Sequence, residues 1–107
     1  MRKGKIYFHS YFTGVLQETD DGYVFQYDNT YLNSEFAVPI GINYPLQKEP
    51  YFTKTIPPYF DGLIPEGWFL NYITKNWKIN PKDRMSLLLK VCKDCIGAVS
   101  VIEEEAI

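Results

Sequence analysis

Apolar and polar residues alternate through much of the first third of the chain, the period of a strand with one face buried. Ile6 and Phe8 open this pattern, a turn is expected near Ser10, and Tyr11-Phe12-Thr13-Gly14-Val15-Leu16 resumes it. Residues 15 to 27 predict a hairpin. Asp20-Asp21-Gly22 supplies the turn, with glycine able to take positive φ, and Tyr23, Phe25 and Tyr27 alternate with Val24 and Gln26 on the returning strand. Asp28-Asn29 ends that strand, and Tyr31-Leu32 falls on a short turn or helical step. Glu35 to Ile42 is expected to form a further strand, at an edge or with a bulge because Pro39 has no N–H for a ladder. Asn43 to Thr55, with Pro45 and Pro50 among scattered polar residues, predicts a loop.

Beyond residue 55 the pattern becomes helical. Thr55 is expected to cap a short helix that Pro57 and Pro58 open and Gly62 closes. Pro65 opens a second helix running to about Trp77, with Glu66 at the positive end of its dipole. Phe69, Ile73 and Trp77 form one row, Trp68 and Tyr72 the adjacent row, and Leu70 is expected on the opposite side. Asn80-Pro81-Lys82-Asp83 reads as the cap and first turn of a third helix. Met85, Leu88, Leu89 and Cys92 then follow at i, i+3, i+4 and i+7, and Leu87 and Val91 widen the buried stripe. Ile96 to Ile102 is expected as a closing strand, with an acidic solvated tail from about residue 103. The fold class expected is α+β: a small antiparallel sheet or meander, two or three short helices and a closing strand, in a single domain spanning residues 1–107.

Composition narrows the chemistry. Net charge is −2, and Arg2, Lys3 and Lys5 make the one dense basic patch, so direct binding of nucleic acid is not expected. No 18-residue apolar run and no signal-peptide core occur, which predicts a cytoplasmic protein with reduced thiols. Cys92-Lys93-Asp94-Cys95 lacks the further ligands of a zinc site, and both cysteines are read as structural, Cys92 in the core. His9 has no nucleophile motif to serve. Asp61 and Glu66, separated by a helix break, are read as helix caps rather than as a catalytic carboxylate pair. The seven glycines are dispersed, without the phosphate-cradling loop, phosphate-facing lysine and metal-binding aspartate that phosphoryl transfer requires. No catalytic, metal or cofactor residue is assigned, and the protein is not expected to be an enzyme.

The densest stretch is the aromatic corner Pro57 to Phe69, where apolar residues sit among helix-limiting prolines and glycines. Its run Tyr59-Phe60-Asp61-Gly62-Leu63-Ile64-Pro65-Glu66-Gly67 resembles the "FFxGLLPEG" signature of the small N-terminal domain of HipA-type serine/threonine kinases, the toxins of bacterial toxin–antitoxin systems. Gly14-Val15-Leu16, Tyr23 to Tyr27, Tyr31-Leu32, Phe36 to Ile40, Pro45-Leu46 and Asp94 to Val99 are similar to further family motifs in the same order, over about residues 5 to 102. The kinase core of the family has no counterpart in this sequence, so kinase activity does not carry over.

The resemblance implies two alternatives. One is a stand-alone antitoxin or regulatory subunit, similar to the HipS subunit of three-gene HipBST systems, that binds a HipA-like or HipT-like serine/threonine kinase and inhibits or modulates it. A helix-turn-helix, HipB-like DNA-binding protein would join through the kinase. The other is the N-terminal structural lobe of a longer kinase. The basic lead at Met1 and the acidic tail at Ile107 favour a natural gene product. The expected contact surface comprises Tyr59, Phe60, Asp61, Leu63, Ile64, Pro65, Glu66, Trp68 and Phe69. Trp68, at the edge of the helical apolar face, is either a partner anchor or packed inward beside Tyr72.

Overall fold

A computed structural model describes residues 2–64, 67–92 and 99–104, with backbone alone at Trp68 and Phe69. Its fold is α+β. Strands β1 (Lys3–Phe8), β2 (Tyr11–Thr19) and β3 (Gly22–Tyr27) form the expected meander, and β4 (Tyr51–Thr53) and β5 (Val99–Glu104) complete an antiparallel sheet of order β4-β3-β2-β1-β5. Helices α1 (Asn29–Leu32), α2 (Pro58–Asp61), α3 (Gly67–Trp77) and α4 (Arg84–Val91) lie between the later strands in the chain.

The first turn places His9 at φ 50° and Ser10 at φ 72°, and both residues are exposed there. The second hairpin pairs Leu16 with Phe25 and closes on Gly22, whose φ is 154° and whose position leaves no room for a side chain beside the Thr53 carbonyl. Alternation then sends Ile6, Leu16, Phe25, Tyr27, Val99 and Val101 into one core. Helix α4, with Met85, Leu87, Leu88 and Leu89, and Cys92 at its C-cap close that core, all buried, as the stripe on the sequence predicts.

Several expectations are corrected. Glu35 to Ile42 is not a strand, and its backbone groups bond to phenols instead of a ladder. Tyr31 Oη donates to the Val38 carbonyl at 2.8 Å and accepts the Val38 N–H at 3.0 Å. Tyr27 Oη donates to the Tyr44 carbonyl at 2.5 Å and accepts the Ile40 N–H at 3.0 Å. The segment expected to be all loop contains β4, because Tyr51-Phe52-Thr53 pairs with Phe25-Val24-Tyr23. Asp83, not Asn80, caps α4 by accepting the Ser86 N–H; Asn80 holds the preceding turn through Lys82 N–H. Glu103 and Glu104 are not a solvated tail, since they pair with Gly4 and Lys3 in the sheet. Glu105 to Ile107, Pro65, Glu66 and the segment 93–98, with Cys95, lie outside the described residues.

On α3 the expected face is rotated. Ile73 is buried, but Tyr72 is 59% and Trp77 50% exposed, and Leu70 packs against the core. Leu70 and Ile73 are three residues apart and therefore neighbours on the helix surface, so Leu70 could not oppose the buried stripe. Trp77 at the helix end carries Lys90 Nζ 5.5 Å from its ring centroid, a cation–π contact at the surface.

The phenolic anchors make two outcomes measurable. Tyr27→Phe removes one hydroxyl that serves two backbone groups, and should lower stability by about 1–3 kcal/mol in chemical denaturation. Burial pushes the Tyr27 phenol up to about 12, and burial likewise raises Tyr23, Tyr44, Tyr51 and Tyr59. A phenol whose pKa is higher folded than unfolded adds stability that is whole below the unfolded value, about 10, and is lost as pH rises through the folded value. Urea midpoints should therefore hold up to about pH 9, fall between about pH 10 and 12, and fall less in Tyr27→Phe. An unchanged wild-type midpoint near pH 11 contradicts this.

Candidate functional site: the aromatic corner

Pro57, at φ −56°, and Pro58 at the first helical position start α2 without any side-chain cap, so Thr55 does not cap it. The chain leaves the helix through tight turns. Gly62 N–H reaches the Pro58 carbonyl at 2.9 Å, Leu63 N–H the Phe60 carbonyl at 3.0 Å and Ile64 N–H the Asp61 carbonyl at 3.1 Å. Gly67 then enters α3 at φ 67°, a left-handed conformation that disfavours any side chain.

The corner is fastened from inside. Phe60 is fully buried, its ring 5.5 Å from Phe25, 5.2 Å from Tyr59 and 6.5 Å from Tyr44. Ile64 is buried in the same core. The buried Cys92 thiol donates to the Leu63 carbonyl at 3.6 Å, linking the corner to the end of α4. Asp61 is not a cap; its Oδ1 accepts from Arg84 Nε at 2.7 Å, an ion pair that ties α2 to the first residue of α4. Arg84 was missed by pattern alone, although it is one of only two arginines in the chain.

The other arginine organises the same, N-terminal end of α4. Arg2 bonds both carboxylate oxygens of Glu18 at 2.9 and 2.7 Å, lies 3.1 Å from the Asp83 carboxylate and donates to Ser86 Oγ at 2.5 Å. The Glu18 hydrogen bond raises the Arg2 pKa above its usual value, and the Arg2 hydrogen bond lowers that of Glu18. Burial alone would raise Asp83, but bonds from Ser86 and Arg2 outweigh it and bring it below the usual carboxylate value.

Of the nine residues expected to meet a partner, five are described in full. Phe60 and Ile64 face the core and are corrected to supports of the corner. Tyr59 and Leu63 are half-buried and Asp61 is partly exposed, leaving these three at the surface. Pro65 and Glu66 lie outside the described residues, as do the side chains of Trp68 and Phe69. Among the described residues no group of three His, Cys, Asp or Glu could hold a metal ion, and no helix is long and apolar enough to cross a membrane. Among its described residues the corner presents Tyr59, Asp61 and Leu63 at the surface, backed by the buried Phe60 and Ile64.

The model of the HipA N-terminal domain family matches residues 4–102. This chain belongs to that family. A solved structure described as the N-terminal domain of HipA toxin superposes with a TM-score of 0.76 and 27% identity, covering 100% of this chain and 96% of its own. An uncharacterised protein of Haemophilus influenzae is 30% identical over 105 residues, which is 98% of this chain and 95% of that protein. A protein of Sinorhizobium fredii named "Putative kinase Y4mE" is 26% identical over 81 residues, 76% of this chain but 19% of that longer protein. The HipA N-terminal fold thus matches both a relative of similar length and a small part of a protein named as a kinase.

Proposed function

We propose that this protein is a non-catalytic antitoxin or regulatory subunit that binds a HipA-type serine/threonine kinase and restrains it. The observation that carries the reading is the match over 95% of the Haemophilus influenzae relative, a protein little longer than the HipA N-terminal domain itself. A domain that elsewhere accompanies a kinase can act in trans by occupying the face it would cover in cis, blocking the active cleft or holding an unproductive conformation. The corner from Tyr59 to Phe69 is the contact surface or adjoins it, with Trp68 as its leading anchor. Phe60, Ile64 and the Asp61–Arg84 pair support this by fixing the corner before any partner arrives, which lowers the entropy cost of binding.

On this reading the chain has no catalysis of its own, and calorimetry with Mg-ATP should be flat, saturable micromolar binding being the contrary result. Coexpression with the cognate kinase tests the proposal. Autophosphorylation and growth arrest should both fall. The limited 19% coverage of the Sinorhizobium fredii protein favours a second reading, that the sequence serves as the N-terminal structural lobe of a longer kinase. That reading predicts instead that kinase activity requires the chain.

A further inference from the structure

A groove that shares no residue with the corner lies between β2, α1 and the segment that follows. Tyr11 is 49% and Phe36 58% exposed, yet their rings stack with centroids 4.8 Å apart and planes 13° from parallel. With Phe12, Asp28, Thr30, Tyr31 and Ser34 they line a space of about 500 Å³. Four aromatic rings, two of them phenols, two aliphatic hydroxyls and one carboxylate therefore meet there, and no cationic side chain is among the lining residues.

Asp28 distinguishes this groove. It is half-buried, and its Oδ2 accepts the Tyr31 N–H at 3.2 Å to cap α1. Glu18, Asp83 and Asp61, also half-buried, each hold an arginine, whereas no lysine or arginine pairs with Asp28 among the described residues. Aromatic faces carry negative potential and a carboxylate adds to it, so the site is complementary to a cation. A guanidinium fits best, because it is planar, stacks on rings and forks onto a carboxylate, while an ammonium is a more strongly hydrated point charge. Val38, exposed and bonded through its backbone to Oη of the groove-lining Tyr31, adds apolar surface next to that tyrosine, which a small free cation would leave uncovered but a polypeptide would use.

We propose that the groove formed by Tyr11, Phe12, Asp28, Tyr31 and Phe36 receives an arginine side chain presented by a partner protein. The proposal does not rest on the kinase reading. The probes are three: the blocked peptide acetyl-Leu-Arg-Leu-amide, its neutral citrulline counterpart and butylguanidinium alone, each titrated into the full chain and followed by amide chemical shifts. The arginine peptide should give saturating shifts at residues 11–12 and 28–36, with affinity about threefold or more above that of the citrulline peptide. Asp28→Asn keeps a helix-capping residue, and should remove that preference while leaving citrulline-peptide binding unchanged. Equal affinity for arginine and citrulline peptides, or shifts absent from the groove, overturns the proposal. Butylguanidinium should bind about threefold or more weakly than the arginine peptide, and equal affinity overturns the partner-protein assignment in favour of a small cation.

Discussion

Phe60→Ala is expected to lower the unfolding free energy by about 4 kcal/mol, within the usual range for deleting a buried phenylalanine. The ring is fully buried and contacts Phe25, Tyr44 and Tyr59, so its removal leaves a cavity at the junction of β3, the irregular segment before β4, and α2. Against a total stability of roughly 5–15 kcal/mol, a loss of that size leaves a substantial unfolded fraction in a marginal protein. A thermal melt followed by circular dichroism checks it, and a change below about 1 kcal/mol would show that the corner is not fastened by this ring. Tyr72→Ala, on the exposed side of α3, should shift stability by no more than about 0.5 kcal/mol.

Trp68→Ala should weaken binding to the cognate kinase at least about tenfold, close to 1.4 kcal/mol, and relieve inhibition in proportion. Trp68 stands in the first turn of α3, immediately after the left-handed Gly67. An indole has few rotatable bonds, so a tryptophan that anchors a partner loses little freedom on docking. Tyr72→Ala is the proper comparison, because it removes an exposed aromatic from the same helix, whereas Leu70 packs against the core. Each variant needs a melting curve beside its affinity. A Trp68→Ala protein that melts normally and binds with unchanged affinity moves the interface elsewhere, and one that unfolds shows the tryptophan to be core.

Local signals carried much of the fold. Asp20-Asp21-Gly22 between alternating segments located the β2–β3 hairpin, and Met85, Leu88, Leu89 and Cys92 located the buried face of α4. What periodicity could not show was settled by contacts distant in sequence. Phe36 to Ile40 has strand-like composition, but Tyr27 and Tyr31 hydroxyls bind its backbone as no ladder partner does. Tyr51-Phe52-Thr53 is too short to signal itself among prolines and becomes a strand only because β3 offers it a free edge. The corner was legible as a family signature, yet signature and surface are different things. Phe60 and Ile64 belong to the core, and Asp61 is an ion-pair partner of Arg84, which lies 23 positions away and has no local pattern to announce it.

The proposed role of this protein is to bind a HipA-type kinase and restrain it. The most direct test mixes the purified chain with its purified cognate kinase and reads complex formation and autophosphorylation in the same titration. A saturable complex should form, with autophosphorylation falling in step with occupancy. Absence of a complex, or a complex in which autophosphorylation is unchanged or stimulated, contradicts the account.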